Sequence, residues 1–223
     1  MRSVVVKTLV AGMLATGLSA CETMNMPDLT MPDFSMPDVF TSTPAQTVML
    51  DEGYEFTLPE QPWADDDTID VTQQVTASWK NTSSTETETE TGTFQARLSL
   101  EHDHVRIVMI DDLGRRAIDI DWSTDALSVQ TADWLPKTFD ARRMLADIVM
   151  VYWPLDVVRD ALPGNMSIRE TMGERMLRMD DNGRAYARIE RPIRDVWQGV
   201  ANLRNERFGY AITIRSQRTG SSS

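Results

Sequence analysis

Cysteine is all but missing from this chain: Cys21 is the only one in 223 residues. No intramolecular disulfide can form, so stability must come from an apolar core. Histidine is scarce as well, with His102 and His104 alone. Positive charge is in deficit, with 22 Lys and Arg against 34 Asp and Glu and a net charge of −12. Such a chain is repelled by phosphate backbones and anionic headgroups, which excludes a nucleic-acid binder. Beyond the first twenty residues no apolar run is long enough to span a bilayer. Glycine-based fingerprints are also absent: there is no Gly-x-Ser-x-Gly elbow, Walker loop or Gly-x-Gly-x-x-Gly turn.

What the first residues do contain is ordered. Arg2 and Lys7 give a positive start, Val4 to Gly17 a short apolar run, and Ser19 and Ala20 small residues before Cys21. That is the layout of a secretory signal over residues 1–20. Leu18-Ser19-Ala20-Cys21 resembles a bacterial lipobox, which implies cleavage before Cys21 and acylation of its sulfur and new amino terminus. Two or three acyl chains hold a protein stably on a membrane. Glu22, where the sorting rule for such lipoproteins reads aspartate as inner-membrane retention, directs the expectation to the periplasmic face of the outer membrane. Residues 21–46 then form a tether built on Met26-Pro27-Asp28, Met31-Pro32-Asp33 and Met36-Pro37-Asp38. Proline every five residues blocks helix and favours extended chain, reaching roughly 70 Å at about 3.1 Å per residue.

The remainder, residues 47–218, reads as one domain, followed by a short tail at 219–223. Val71, Gln73, Val75, Ala77 and Trp79 alternate with polar residues, as do Phe94, Ala96, Leu98 and Leu100. Asn81 to Gly92 holds no apolar residue and reads as a solvated hairpin loop. Further strands are expected at 105–110, 118–122 and 127–131. The period then changes. Ala141, Met144, Leu145, Ile148, Val149 and Tyr152 share one helical face, with Asp140 as cap and Trp153-Pro154 as stop. A short second helix through Leu162 is expected, then strands at 175–179, 185–189, 197–203 and 210–214. The order suggests an α+β fold: a curved antiparallel sheet forming an unclosed half-barrel, with a helical lid over its apolar face.

Chemistry is thinly represented. Glu101-His102-Asp103-His104 has zinc-ligating residue types but sits at a turn with no third ligand in view, so no metal site is expected. Arg184, Arg188, Arg191 and Arg194 read as a sheet rim. Carboxylates are spread over turns and strand exteriors, and no catalytic residue and no cofactor are assigned. Apolar surplus is the remaining signal. Trp122, Trp134, Met144, Leu145, Ile148, Tyr152, Trp153 and Trp197 gather around the helical segment. Each suits a core, and as a set they suit a cavity for an acyl chain.

Leu135-Pro136, Asp140 to Asp147, Tyr152-Trp153-Pro154-Leu155 and Ala161-Leu162-Pro163 resemble a family of uncharacterised bacterial lipoproteins. So do Asn205, Gly209 to Ile214 and Ser216. Members are often encoded beside ketosynthases in aryl polyene gene clusters. The resemblance spans about residues 93–216 and leaves out the tether and the Thr-Glu loop. It implies a fold similar to LolB and LolA, an unclosed barrel with a helical lid. LolB accepts acylated cargo and has an apolar residue on a protruding loop, which Leu113 in the Asp111–Arg115 turn would match. The expected function is an outer-membrane lipoprotein that binds and transfers an acyl chain, polyene-lipid or lipoprotein, and is not an enzyme. The alternative is an envelope scaffold that holds a protein partner.

Overall fold

A computed structural model describes residues 46–65, 67–81, 88–135, 139–180 and 183–219. Cys21, the signal segment, the Met-Pro-Asp repeats and the last four residues lie outside them, as do Pro136 and residues 82–87. Among the described residues the chain forms twelve strands. β1 (Thr47–Asp51) and β2 (Tyr54–Thr57) make a separate hairpin. A meander follows: β3 (Ile69–Asn81), β4 (Glu88–Glu101), β5 (His104–Asp111), β6 (Arg116–Ser123) and β7 (Leu127–Thr131). Then come the helices α1 (Ala141–Tyr152) and α2 (Leu155–Ala161). A second meander closes the chain: β8 (Met166–Thr171), β9 (Glu174–Met179), β10 (Ala185–Glu190), β11 (Gly199–Asn205) and β12 (Tyr210–Arg218).

The two meanders join where β12 pairs with β3, giving a ten-stranded antiparallel sheet in the order β7-β6-β5-β4-β3-β12-β11-β10-β9-β8. Its outer strands, β7 and β8, are not paired with each other, so it does not close into a barrel. It does curl. On a flat sheet β6 and β9 would stand seven strand spacings apart, about 34 Å. Yet Trp122 of β6 stacks on Trp153 with centroids 5.9 Å apart, and Arg175 of β9 donates to the Trp153 carbonyl at 2.8 Å. Only a strongly bent sheet brings both to one residue.

Three elements depart from the sequence reading. Glu88 to Gly92, expected in a loop, extend β4 and pair with Ala77 to Asn81. Threonine has high β propensity, and Trp79 Nε1 donates to Glu90 across the pair, so an apolar-free segment still forms strand. β8, which the pattern did not reveal, is a six-residue strand directly after the Pro163-Gly164 turn. Trp197 lies in a turn, and β11 starts only at Gly199.

The larger departure is α1. A cover helix with one solvated face was expected. Ten of its twelve residues are buried, from Ala141 and Met144 through Tyr152. The sheet covers one side, and the β1–β2 hairpin, with Val48, Leu50, Tyr54 and Phe56 buried, packs on the helix through β1. From Met144 to Val151 its only polar residue is Asp147, and a helix apolar nearly all round belongs inside.

Both ends of α1 are fixed. Asp140 accepts from the amides of Arg142 and Arg143. At the other end the free carbonyls find guanidinium donors. Arg175 donates to Met150 at 2.6 Å and to Trp153 at 2.8 Å, and Arg191 to Val151 at 3.1 Å. Glu170 accepts from both arginines. Burial pushes the Glu170 carboxyl up, but the hydrogen bonds from Arg191 and Arg175 outweigh it and hold it below the usual range.

The β8–β9 turn holds this clamp in place. Met172 and Gly173 both have positive φ, +49° and +81°, the geometry of a tight hairpin turn. A Cβ on Gly173 would lie 2.6 Å from the Arg191 carbonyl oxygen. Gly173→Ala is therefore expected to lower stability by about 1–3 kcal/mol through backbone strain and clash. Urea denaturation measures this, and an unchanged midpoint would refute it.

Candidate functional site: an apolar cleft under the central helix

The inner face of the sheet is apolar along β3, β4 and β12, because their alternating residues are in register. Val75 faces Phe94 on one neighbour and Ile214 on the other, and Ala77 faces Gly92 and Ile212. Between this floor and α1 runs a cleft of about 70 Å³. Phe139, Met144, Asp147, Ile148 and Val151 form its roof. Val75, Ala77, Phe94 and Ala96 form most of its floor, with Ile212 and Ile214 at the side.

The floor carries one polar residue, Gln73, held in a buried cluster. Gln73 Nε2 donates to Tyr152 Oη and Ser216 Oγ, both at 3.0 Å, and the two hydroxyls are themselves 3.0 Å apart. Burial pushes the Tyr152 hydroxyl up to about 12, so it stays neutral and serves as a hydrogen-bonding partner. Gln73 sat in phase with Val71 and Val75 in the sequence, a polar residue on an apolar face.

The end at Phe139 is apolar and more open. Phe139 is 37% exposed, and Ala77, Phe94 and Ile212 are half-buried. The turns at this end carry further exposed apolar side chains. Leu113 stands on the β5–β6 turn, 78% exposed, where Asp111 accepts from the amides of Leu113 and Arg115. Trp134 lies under the Arg115 guanidinium at 4.4 Å, and Phe208 of the β11–β12 turn lies under Arg143 at 4.0 Å.

One carboxyl borders the cleft. Asp147 is 3% exposed and accepts from the Tyr210 hydroxyl through Oδ2. Its Oδ1 has no partner in the protein. Desolvation raises its pKa to about 7, against the lowering effects of the Tyr210 bond and the Arg143 charge.

The expected cavity residues divide in two. Met144 and Ile148 line the cleft. Trp122, Leu145, Tyr152, Trp153 and Trp197 are buried and do not line it. Trp153 is the hub of a packed aromatic cluster at the C-terminal end of α1. Trp63 meets it edge-on at 5.5 Å, Trp122 stacks on it, and Trp197 stacks on Tyr152 at 4.3 Å. Aromatics attract one another in these geometries, so they fill the interior they were expected to surround. Trp134, also expected inside, is 40% exposed. Val75, Phe94, Phe139, Ile212 and Asp147 were not assigned from the sequence. The strand residues among them lie on the apolar alternation, and register alone singles them out.

His102 is exposed and His104 half-buried, with His104 Nε2 3.1 Å from Asp121. Among the described residues no three His, Cys, Asp or Glu gather where a metal ion could be held. No described helix is long and apolar enough to cross a membrane.

A family model described as "Protein of unknown function (DUF3261)" matches residues 70–218. No curated protein matches the chain. Among solved structures, the crystal structure of a LolA superfamily protein from Nitrosomonas europaea is similar over 71% of this chain and 88% of that one. Sequence identity there is 8% and the TM-score 0.35.

Proposed function

The chain belongs to the DUF3261 family, and we propose that it is an envelope lipoprotein, anchored through Cys21, that binds an acyl chain between α1 and the sheet. The observation that carries this reading is the apolar cleft between α1 and the sheet, with exposed apolar residues near the end at Phe139. The role is binding and transfer, with no chemical step. Cys21 acylation and Glu22 set the place as the periplasmic face of the outer membrane. Leu113 and Trp134 at the mouth meet the acylated cargo.

The cleft must widen to work. At about 70 Å³ it is smaller than the roughly 150 Å³ that accepts a benzene ring. The clamp of Arg175 and Arg191 fixes the C-terminal end of α1, so opening occurs at the N-terminal end. There Phe139 and Met144 turn aside and the Tyr210–Asp147 bond yields, to re-form once the chain is seated. Breaking a hydrogen bond to a charged group costs about 1.5–3 kcal/mol. Burying a methylene gains about 0.8 kcal/mol. Four methylenes therefore offset the latch, and a longer chain drives opening.

A second reading, a membrane-held adaptor for a protein partner, is favoured by the same narrowness and by the covered outer face of α1. Ile148→Trp separates the two. On the carrier reading the indole fills the cleft and cuts uptake of a fluorescent monoacylglycerol at least tenfold, at a stability cost of about 1–3 kcal/mol. Met144→Trp gives the same loss. Wild-type uptake by both folded variants would favour the adaptor.

A further inference from the structure

The acyl-chain reading leaves Asp147 unexplained. A purely hydrocarbon site has no use for a buried carboxyl, and an unpaired buried acceptor is costly. Yet Asp147 borders the cleft, with Oδ2 taken by Tyr210 and Oδ1 without a protein partner. We propose that Asp147 Oδ1 is the head-group site of the cleft, accepting a hydrogen bond from a neutral O–H or N–H donor on an otherwise apolar ligand. This rests on the cleft being a ligand site.

The surroundings specify the head group. Tyr210 of β12 faces the carboxyl, and Asn205 of β11 donates to the Tyr210 hydroxyl at 3.1 Å. Tyr186 of β10 is near enough for the Asp147 charge to raise its pKa, after burial, which is the larger cause. On α1 the neighbours are Arg143 and Asp140. Arg143 lies over Phe208 and 3.7 Å from Asp140. Above about pH 7, where Asp147 is ionised, an anionic head at Oδ1 would meet that charge directly, with Arg143 already paired to Asp140. A neutral donor satisfies Oδ1 without bringing a second charge into an apolar space. Ligands of this class include long-chain alcohols and acylglycerols, which share a hydroxyl one chain-length from a methyl end.

The test compares two probes of matched length, 1-dodecanol and its methyl ether, by isothermal titration calorimetry on the full chain at pH 8.5, where Asp147 is ionised. The alcohol donates a hydrogen bond and the ether does not. A hydrogen bond to a carboxylate is strong enough to give the alcohol about a tenfold advantage. Asp147→Leu removes the acceptor and is expected to abolish the preference while the ether still binds. Asp147→Asn supplies an amide whose oxygen takes the Tyr210 hydroxyl, leaving its N–H₂ toward the ligand, and is expected to reverse the preference. Equal binding of both probes by the wild type would overturn the head-group site while leaving the chain site standing. Binding of neither probe would overturn both.

Discussion

Arg175→Met is expected to destabilise the protein by about 3–5 kcal/mol. The guanidinium is fully buried and donates to three acceptors: the buried Met150 and Trp153 carbonyls and the partly exposed Glu170 carboxylate. Methionine fills much of the same volume and donates nothing. The two carbonyls at the end of α1 then lose their donors, at about 1–3 kcal/mol each. Glu170 keeps Arg191, which limits the damage. Thermal unfolding should fall by roughly 10 °C for a domain of this size. The consequence reaches the site, because the clamp is the fixed end from which the helix opens. A loss below about 1 kcal/mol would show that the clamp does not anchor α1.

Asp147 is expected to make stability fall as pH rises from about 4 to about 7. Its carboxyl titrates near 3.8 when unfolded and near 7 when folded, because burial disfavours the charge. Within that window the folded state holds a proton that the unfolded state has released, so folding is progressively disfavoured. Below the window both states are protonated, and above it both are ionised. Full expression of the shift amounts to about 4 kcal/mol. Asp51, Asp111 and Glu170 have lowered pKa values, and their contributions run the opposite way at acid pH. The wild type must therefore be compared with Asp147→Asn at each pH. The difference in urea-derived stability should move against the wild type from pH 4 to 7 and then level off. A flat difference would mean that Asp147 is ionised throughout.

The sheet was readable because its strands are half-buried and so carry a period of two. Val71 to Trp79 and Phe94 to Leu100 named their own inner faces. The segment Glu88 to Gly92 was not readable, because its strand character comes from pairing with Ala77 to Asn81 and not from apolar alternation. α1 was placed correctly from Asp140 to Trp153-Pro154, but its depth was misjudged. The β1–β2 hairpin that covers its outer side lies about ninety residues earlier in the chain, and no local pattern links the two. The same distance in sequence hid the site. Met144 and Ile148 sit on the legible face of the helix. Phe94 and Ile212 become neighbours of the cleft only once β3 is paired on both sides. Large aromatics serve a cavity wall and a packed core equally well, so the tryptophans alone do not tell one from the other. Trp63, remote in sequence, decides for the core by closing over Trp153.

The central claim is that hydrocarbon enters between α1 and the sheet, and the most direct measurement is where a bound chain reacts. A monoacylglycerol carrying a photoactivated diazirine near the methyl end, irradiated with the full-length protein and mapped by peptide mass spectrometry, gives that position. The account predicts label on the roof, at residues 139–151, and on the floor, at residues 75–77 and 94–96, with loss of label in Ile148→Trp. Label confined to the exposed turns around Leu113 and Phe208, and unchanged in that variant, would contradict it.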